Sequence, residues 1–415
     1  MKSVILSLLL LIFLTSCLFP AVYYVNSQNG NDHNSGTSAD SPWKSLAKVN
    51  SFTFKPGDSI LFNKNSKWIG QLLIKQNGAP GNPIIYSNYG NGNLPIIDGN
   101  NEEHYCIYVN QSSLVNVDGF QAINSGKIDG INIEVKSCEH CIVKNCTVIV
   151  NMRAGILAEN NNYCTFSNNH ITTLNAFIPD QADGIYAQRN SHDVYDGNNI
   201  VNYNKSEDMH ADCIQLYLET DAVVKNNYLE QNNTKLGNAQ GLYCTIPYGT
   251  HYYYNNIIYC PNTNAQLLGF LNLDKGTGTL RAFNNTLVGG KMNVFRTDDH
   301  SPVVRNNIFV TTGNYSMFRI DSPLEPTADI NFNIYFSQKN KPINYMDHEY
   351  TFSDWQAMGH EQNGINKDPK LKQDFTISTA SPAVNKGSDI SGYMKSEKMT
   401  NIKNNTQKFN IGAQR

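Results

Sequence analysis

The chain has 415 residues, of which 40% are hydrophobic and 16% charged, and its formal net charge is −3. With 23 tyrosines and 18 phenylalanines it has enough apolar surface for a large core, which excludes wholesale disorder. The sequence contains no long basic run, so the electrostatic footprint of a nucleic-acid-binding protein is missing and no nucleic-acid partner is expected.

The first residues predict export. Lys2 precedes an apolar run from Val4 to Leu14 that is too short for a comfortable membrane span. The run ends in "LTSC", which resembles the bacterial lipobox, whose cysteine becomes the lipidated first residue of the mature protein. We therefore expect residues 1–17 to be a signal peptide and Cys17 to carry lipid, which makes the protein a cell-envelope lipoprotein, periplasmic or on the outer surface. The alternative is a plain secretory signal and a secreted protein.

The segment that follows predicts a short capping helix. Ser41 is suited to the N-cap and Pro42 to the first helical position. Trp43, Leu46 and Val49 then follow at near-helical spacing and are expected to be its buried side. Such a helix would cover the open edge of a sheet.

Eight cysteines follow Cys17 in the sequence. Cys138 and Cys141 form a CxxC pair, but no second CxxC or HxxxH completes a zinc site. We expect these residues to be small buried core thiols.

One phrase recurs along the chain, one or two asparagines followed closely by an apolar residue, as in "KNCTV", "DGNNI" and "YNNII". The third positions of eight such phrases are Cys146, Asn169, Asn198, Asn227, Asn256, Asn285, Asn307 and Asn333. The steps between them are 23, 29, 29, 29, 29, 22 and 26 residues. A near-constant step of this size is typical of a solenoid, and the β-rich runs between the phrases predict coils of strands. Asparagine suits the bends because it tolerates left-handed backbone conformations and bonds to adjacent coils.

A second phrase keeps the same period. "AGILAE", "DGIYAQ", "DCIQLY" and "QGLYCT" follow one another at steps of 29, 29 and 28 residues. If the coils stack in register, residues 29 apart lie one rung apart, about 4.8 Å along the axis. The residues expected to share one inward column are Ile156, Ile185, Ile214 and Leu242.

With these two registers, the chain from Tyr23 onward resembles a right-handed parallel β-helix of the pectate-lyase-like class, an all-β fold. Its opening segment and its closing phrases "DPKLKQDFTISTASPAVNKGSDI" and "FNIGAQR" resemble the ends of secreted bacterial β-helix proteins. We expect a single domain over residues 22–415, with a cap at about 22–60, coils at about 60–336 and a closing segment at about 337–415. The resemblance implies a polysaccharide-active protein, although one fold hosts many chemistries.

The stretch "SEDMHADCIQLY" crowds three acidic residues and a histidine into one coil. In register, Asp212 lies beside Asp183 of the preceding coil, and Asp208, His210 and Asp212 alternate along an extended backbone and share one side. Aromatic rings offer apolar faces to sugars, amides offer donors and acceptors to hydroxyls, and cations neutralise acidic groups. The candidate substrate-binding residues of these kinds are Tyr186, Gln188, Gln215, Tyr217, Tyr243, Arg153 and Arg189, with Lys225 as a further cation.

Two carboxylates about 5 Å apart cannot both ionise freely, so something must lie between them. Calcium is one candidate, held by Asp183, Asp212 and Asp208 and bridging to a uronate carboxylate. A shared proton is another, which would let one carboxylic acid protonate a leaving glycosidic oxygen as in a hydrolase. The third is His210, acting as a base on the sugar C5 proton. The structural alternative is an aspartate that only caps a turn, which Asp183-Gly184 suits.

The leading hypothesis is proton abstraction by His210, oriented by Asp212 and completed by Asp183, in an exported lyase or C5-epimerase acting on an acidic polysaccharide. A glycoside hydrolase with paired carboxylates and a non-catalytic glycan-binding surface protein are the alternatives. The sequence lacks the Gly-His-Gly signature of polygalacturonases, and "DMHAD" resembles the Asp-Pro-His motif of alginate epimerases only loosely, so the substrate stays open. We expect a monomer that touches the membrane only through its lipid, with calcium as the candidate cofactor.

Overall fold

The computed structural model describes residues 20–126, 129–174, 182–203, 211–232, 239–260, 267–289, 293–311, 313–394 and 410–413. Within these ranges the chain forms 36 strands, the α-helices α1 (Leu46–Ser51) and α2 (Phe352–Ala357), and two 3-10 helices at Leu273–Lys275 and Ser391–Tyr393. The strands, numbered in chain order, make three sheets of 12 strands each, named A, B and C.

Sheet A consists of β1 (Val22–Val25), β2 (Ser59–Asn63), β5 (Ile84–Tyr89), β8 (Val115–Asp118), β11 (Ile142–Lys144), β14 (Thr165–Ser167), β17 (Val194–Asp196), β20 (Val223–Lys225), β23 (Thr250–Tyr254), β26 (Thr279–Phe283), β29 (Val303–Arg305) and β32 (Asp329–Asn331). Sheet B consists of β3 (Lys67–Ile69), β6 (Ile96–Asp98), β9 (Gln121–Ile123), β12 (Thr147–Val150), β15 (His170–Thr173), β18 (Asn199–Asn202), β21 (Tyr228–Gln231), β24 (Ile257–Cys260), β27 (Thr286–Gly289), β30 (Ile308–Val310), β33 (Ile334–Phe336) and β36 (Ile365–Asn366). Sheet C consists of β4 (Leu72–Ile74), β7 (Tyr105–Asn110), β10 (Ile131–Lys136), β13 (Ala154–Glu159), β16 (Asp183–Gln188), β19 (Ile214–Tyr217), β22 (Leu242–Thr245), β25 (Leu268–Leu271), β28 (Phe295–Thr297), β31 (Phe318–Ile320), β34 (Ile343–Tyr345) and β35 (His348–Tyr350).

Each full coil places one strand in sheet A, one in sheet B and one in sheet C, and the next coil repeats that order. Strands of successive coils therefore pair in parallel, except that β34 and β35 at the end of sheet C pair antiparallel. The chain is a right-handed parallel β-solenoid, which confirms the predicted all-β fold.

The inward column of sheet C confirms the predicted register. Ile156 pairs with Ile185, Ile185 with Ile214, and Ile214 with Leu242, and all four side chains are fully buried. Since alternate residues of a strand point to opposite faces, the neighbours of these residues point outward. The register therefore determines which side chains lie on the outer face of sheet C.

The asparagines form one continuous ladder at the corner between sheets A and B, as their period predicted. The Oδ1 atom of Asn227 accepts the backbone N–H of Asn198 at 2.8 Å and its Nδ2 at 3.0 Å. Asn227 in turn donates both groups to the Oδ1 atom of Asn256, at 3.0 Å each. The residues linked in this way are Asn169, Asn198, Asn227, Asn256, Asn285, Asn307 and Asn333.

The ladder ends at Glu361, a fully buried residue that follows α2. The Nδ2 atom of Asn333 donates to its Oε1 at 2.6 Å, the backbone N–H of Asn333 to its Oε2 at 3.2 Å, and the Tyr335 hydroxyl to its Oε1 at 2.9 Å. Burial raises the pKa of Glu361 to about 7, although these hydrogen bonds oppose the shift. A carboxylate accepts hydrogen bonds without donating any, so the ladder stops here.

The N-terminal helix is present, but its predicted start at Pro42 was wrong. Helix α1 begins at Leu46, and its N-cap is Ser45, whose side chain accepts the backbone N–H of Lys48 at 3.1 Å. Trp43 instead continues the β-structure, because its backbone N–H donates to the carbonyl of Tyr24 at 2.8 Å. Pairing with the first strand thus outweighs the local helix signal.

The closing segment packs along the solenoid. Ile390 and Met394 lie against the outer face of sheet A, while Ala383 and Ile411 lie against that of sheet B. As far as the described residues go, these two apolar clusters involve no strand of sheet C. The outer face of sheet C therefore keeps its polar and aromatic side chains for other contacts.

The cysteines confirm the prediction of core thiols. All eight in the described ranges are free and buried, including Cys138 and Cys141. Cys17 lies outside the described residues, so its lipidation stays a prediction. Among the helices that the structure describes, none has the length and apolar character required to cross a bilayer.

Candidate active site on the outer face of sheet C

Two rows of outward side chains lie on sheet C, as the sequence predicted. In the first row Tyr186 pairs with Gln215 and Gln215 with Tyr243. In the second row Gln188 pairs with Tyr217. Tyr186 and Gln215 are each 8% exposed, while the other three are partly exposed. The five residues thus form a continuous surface of rings and amides, of the kind that suits a sugar polymer.

Asp183 and Asp212 lie on adjacent coils, and each links its coil to the next one. The Oδ1 atom of Asp183 accepts the backbone N–H of Asp212 at 2.7 Å. The Oδ1 atom of Asp212 accepts the backbone N–H of Gln240 at 2.6 Å. Both side chains are fully buried. Each aspartate therefore has the structural role that the sequence left open as an alternative, because it accepts a hydrogen bond from the backbone of the next coil.

Burial and mutual repulsion keep protons on this pair. Burial raises the pKa of Asp183 to about 8, against the opposing effects of its hydrogen bond and of Arg153. Burial also raises the pKa of Asp212 well above its usual range, and the charge of Asp183 adds to this shift. The Oδ2 atom of Asp183 has no hydrogen-bond partner among the described residues. At neutral pH the pair therefore carries less negative charge than two carboxylates would.

Arg153 is a cation whose charge acts on Asp183. It precedes β13, and its guanidinium carbon lies 5.7 Å from the centroid of the Tyr186 ring. Its charge lowers the pKa of Asp183 and of Tyr186, although burial raises both. Arg189 is exposed in the turn that follows β16. Lys225, by contrast, lies on β20 of sheet A and pairs with Asp196 at 3.3 Å, so it belongs to another face.

His210 and Asp208 lie outside the described residues, so their predicted roles stay predictions. Calcium needs six to eight oxygen ligands, and Asp183 and Asp212 each already commit one oxygen to a backbone N–H. Among the side chains that the structure describes, no group of three or more His, Cys, Asp or Glu is placed to hold a metal. The described residues alone therefore do not fit a calcium site.

The sequence interpretation missed the N-terminal part of this face. Tyr108 and Glu134 continue the first outward row below Leu157, and Lys136 and Glu159 continue the second row. The signal was present, because the 23-residue step from Cys146 to Asn169 also separates Glu134 from Leu157. The second recurring phrase begins at Ala154, so it does not include this coil.

At the other end of the face, Arg296 and Arg319 occupy the first row. Their Nε atoms contact the two carboxylate oxygens of Asp321, each at 2.6 Å. Arg319 also contacts Asp347 at 3.0 Å. These ion pairs neutralise the arginines, so Arg153 and Arg189 are better placed to meet an anionic ligand.

Comparison with known proteins supports the fold. A family described as "Right handed beta helix region" matches residues 105–269. A curated relative, the lacto-N-biosidase of Bifidobacterium longum, is 44% identical over 84 residues, which is 19% of this chain. The match spans only 5% of the length of that enzyme.

Two solved structures share the architecture over most of the chain. Pectate lyase Pel9A is 17% identical with a TM-score of 0.61, covering 95% of this chain and 96% of that one. XylC in complex with xylose is 10% identical with a TM-score of 0.50, covering 85% and 87%. Identities this low speak to the fold alone. The chain therefore has the right-handed parallel β-helix fold that these structures share.

Proposed function

We propose that the chain acts on an acidic polysaccharide, as a lyase or C5-epimerase that abstracts the proton at C5 of a uronate. The observation that carries the proposal is the combination of Arg153 with a proton-retaining carboxyl pair. Asp183 and Asp212 hold protons because they are buried and adjacent, so they leave much of the charge of Arg153 uncompensated. That charge is available to a substrate carboxylate.

A cation at the uronate carboxylate is what proton abstraction requires. The C5 proton becomes acidic enough to remove only when the charge that develops on the carboxylate is stabilised. Arg153, whose guanidinium carbon lies 5.7 Å from the centroid of the Tyr186 ring, would supply this charge. Tyr186, Gln215 and Tyr243 would hold successive parts of the polymer along the face. We assign the base to His210, as the sequence hypothesis did.

Hydrolysis is the second candidate, and the raised pKa of Asp183 is the observation that favours it. A general acid must keep its proton near neutral pH, and burial brings the pKa of Asp183 to about 8. The same carboxyl group would then protonate a leaving glycosidic oxygen.

A polysaccharide panel separates these functions. Purified protein is incubated with polygalacturonate, alginate, rhamnogalacturonan and xylan, and unsaturated uronates are followed by ultraviolet absorbance and new reducing ends chemically. A lyase yields both signals, a hydrolase reducing ends alone, and an epimerase a changed uronate composition without cleavage. If the protein binds a polymer without forming any product, the hypothesis of a glycan-binding surface protein replaces that of an enzyme.

Arg153→Gln tests the residue that carries the proposal. We expect turnover of the acidic polymer to fall by about a hundredfold, the scale of losing a positioned charge in an active site. The matched control is Lys144→Gln, which removes a cation from sheet A that pairs with Asp118 at 3.4 Å. Equal activity of Arg153→Gln and the wild-type protein would remove Arg153 from the site.

We also propose that the protein is exported and anchored through lipid at Cys17, on the strength of the sequence "LTSC". Labelling of cells with a fatty-acid analogue should mark the wild-type protein and not Cys17→Ala. Equal labelling of both would refute the anchor.

A further inference from the structure

A second group of side chains lies on the outer face of sheet C, N-terminal to the coils of Asp183 and Asp212. Tyr108 pairs with Glu134 and Glu134 with Leu157, in the row that continues to Tyr186. Three rungs separate Tyr108 from Tyr186, or about 14 Å along the axis. A polymer lying along this face over Tyr186 would therefore also reach Tyr108.

Glu134 is a buried carboxyl group with an unused hydrogen-bond acceptor. It is 1% exposed, and its Oε2 atom has no hydrogen-bond partner among the described residues. Burial raises its pKa, while a hydrogen bond with Tyr105 and the charge of Lys136 lower it. The equally buried Glu361 uses both oxygens to accept hydrogen bonds. An unmet buried acceptor is destabilising, and a hydroxyl donated by a ligand would relieve that cost.

Two tyrosine rings lie beside this acceptor. Tyr105 and Tyr108 are stacked, with ring centroids 4.5 Å apart and an interplanar angle of 15°. Both are partly exposed, and burial raises the pKa of each, so both phenols stay neutral and able to donate hydrogen bonds. A flat apolar face beside hydrogen-bonding groups is suited to a sugar ring.

Lys136, the lysine of β10, is already paired with a carboxylate. The Nζ atom of Lys136 lies 2.7 Å from the Oε2 atom of Glu159, and 4.0 Å from the Oε1 atom of Glu134. An anionic sugar would therefore find no unpaired cation in the pair of Lys136 and Glu159. An uncharged sugar with several hydroxyls would find acceptors and donors without having to displace an ion pair.

We propose that the outer face of β7, β10 and β13 is a distal subsite for an uncharged, hydroxyl-rich sugar unit, with Tyr108 covering its ring and Glu134 accepting a hydroxyl proton. This inference rests on the proposed function, because the same polymer would extend from here to Arg153. It narrows the substrate class to heteropolymers or partly neutralised polymers, in which charged and uncharged units follow one another.

Affinity gel electrophoresis tests the subsite without relying on turnover. The wild-type protein, Tyr108→Ala and Glu134→Gln are run through gels containing polygalacturonate, alginate, rhamnogalacturonan or xylan. We expect at least one polymer to retard the wild-type protein, and each variant to bind it about threefold to tenfold more weakly. Thermal unfolding of each variant checks the fold, and Tyr108→Ala decides the question if Glu134→Gln fails to fold.

A Tyr–Glu pair on sheet B is the matched control. The Tyr228 hydroxyl donates to the Oε2 atom of Glu230 at 2.8 Å, so Tyr228→Ala and Glu230→Gln remove the same chemistry from another face. They should bind as the wild-type protein does.

The outcomes separate the subsite from the proposed function. Equal retardation of wild-type protein, Tyr108→Ala and Glu134→Gln overturns the subsite and leaves uronate chemistry standing. Weaker retardation of these variants, with no eliminated or epimerised product from any polymer, supports the subsite and overturns the proposed function. If none of the four polymers retards the wild-type protein, both proposals fall.

Discussion

Two buried columns connect successive coils of this solenoid, one made of asparagines and one of aspartates. Asn227 accepts two hydrogen bonds through Oδ1 and donates through Nδ2 to the carbonyl of Tyr195 and to Asn256, each at 3.0 Å. Asp183 accepts the backbone N–H of Asp212 in the same manner, but its second oxygen has no partner among the described residues. The amide column is fully bonded, whereas the carboxyl column is not.

The link between coils does not require the ionisable group of an aspartate. An asparagine at position 183 or 212 would accept the same backbone N–H without an ionisable group. The aspartates instead hold a proton at neutral pH, because burial raises the pKa of both and the charge of Asp183 raises that of Asp212 further. The proposed function assigns this difference to chemistry, because the pair lies near Arg153 and Tyr186.

Placing a carboxylate in the amide column should have the largest effect. Asn227→Asp loses the Nδ2 donor and sets an oxygen against the acceptors of Tyr195 and Asn256. We expect the free energy of unfolding in urea to fall by about 3 kcal/mol or more. Asn91→Asp, at an exposed turn, is the control and should change it by less than about 0.5 kcal/mol. Similar losses in both variants would mean that the ladder contributes little.

Replacing an aspartate of the carboxyl column by asparagine should remove activity and leave the fold intact. Asp212→Asn keeps the Oδ1 acceptor for the backbone N–H of Gln240, so its thermal midpoint should equal or exceed that of the wild-type protein. Turnover on the polymer identified by the panel should fall by about a hundredfold, the usual scale for losing an acid or base. Full activity would show that Asp212 only links coils. Unfolding would show that the link itself needs a carboxyl group.

The pH dependence of stability gives a smaller and independent measure of the same difference. Folded Asp183 holds its proton up to about pH 8, whereas the unfolded chain releases it near 3.8. The folded state thus binds more protons in this window, so its stability should fall as pH rises from about 4 to about 8. Asp183→Asn should flatten that part of the curve in thermal unfolding. An unchanged slope would mean that Asp183 is ionised in the folded protein.

The sequence predicted the asparagine column and the inward isoleucine column because the alignment of each depends on a repeated spacing along the chain. A step of 29 residues was enough to align Asn198 with Asn227 and Ile185 with Ile214, as the structure confirms. The same step placed Tyr186 and Gln215 in one outward row. Register in a stacked solenoid is a property of spacing, and spacing can be read from a single chain.

What the sequence did not predict depends on contacts between distant residues. Trp43 pairs with Val25, which no local helix signal reveals. The complete burial of Asp183 follows from packing of neighbouring coils. Lys225 was placed with the site although it immediately precedes the asparagine corner, which lies between sheets A and B. Glu134 was missed because the coil before Ala154 follows a shorter step.

The asparagine ladder also sets how this protein can change in length. It has a direction, since each Oδ1 atom accepts from the asparagine of the preceding coil and each backbone N–H donates to that of the next, until Glu361 receives the last donors. A 29-residue unit added or removed between Asn198 and Asn285 would leave each remaining bond of the same kind, because neighbouring coils there are equivalent. Addition beyond Glu361 would find a carboxylate with no donor to offer. A unit added within the interior would therefore preserve the ladder, whereas one added beyond Glu361 would not continue it.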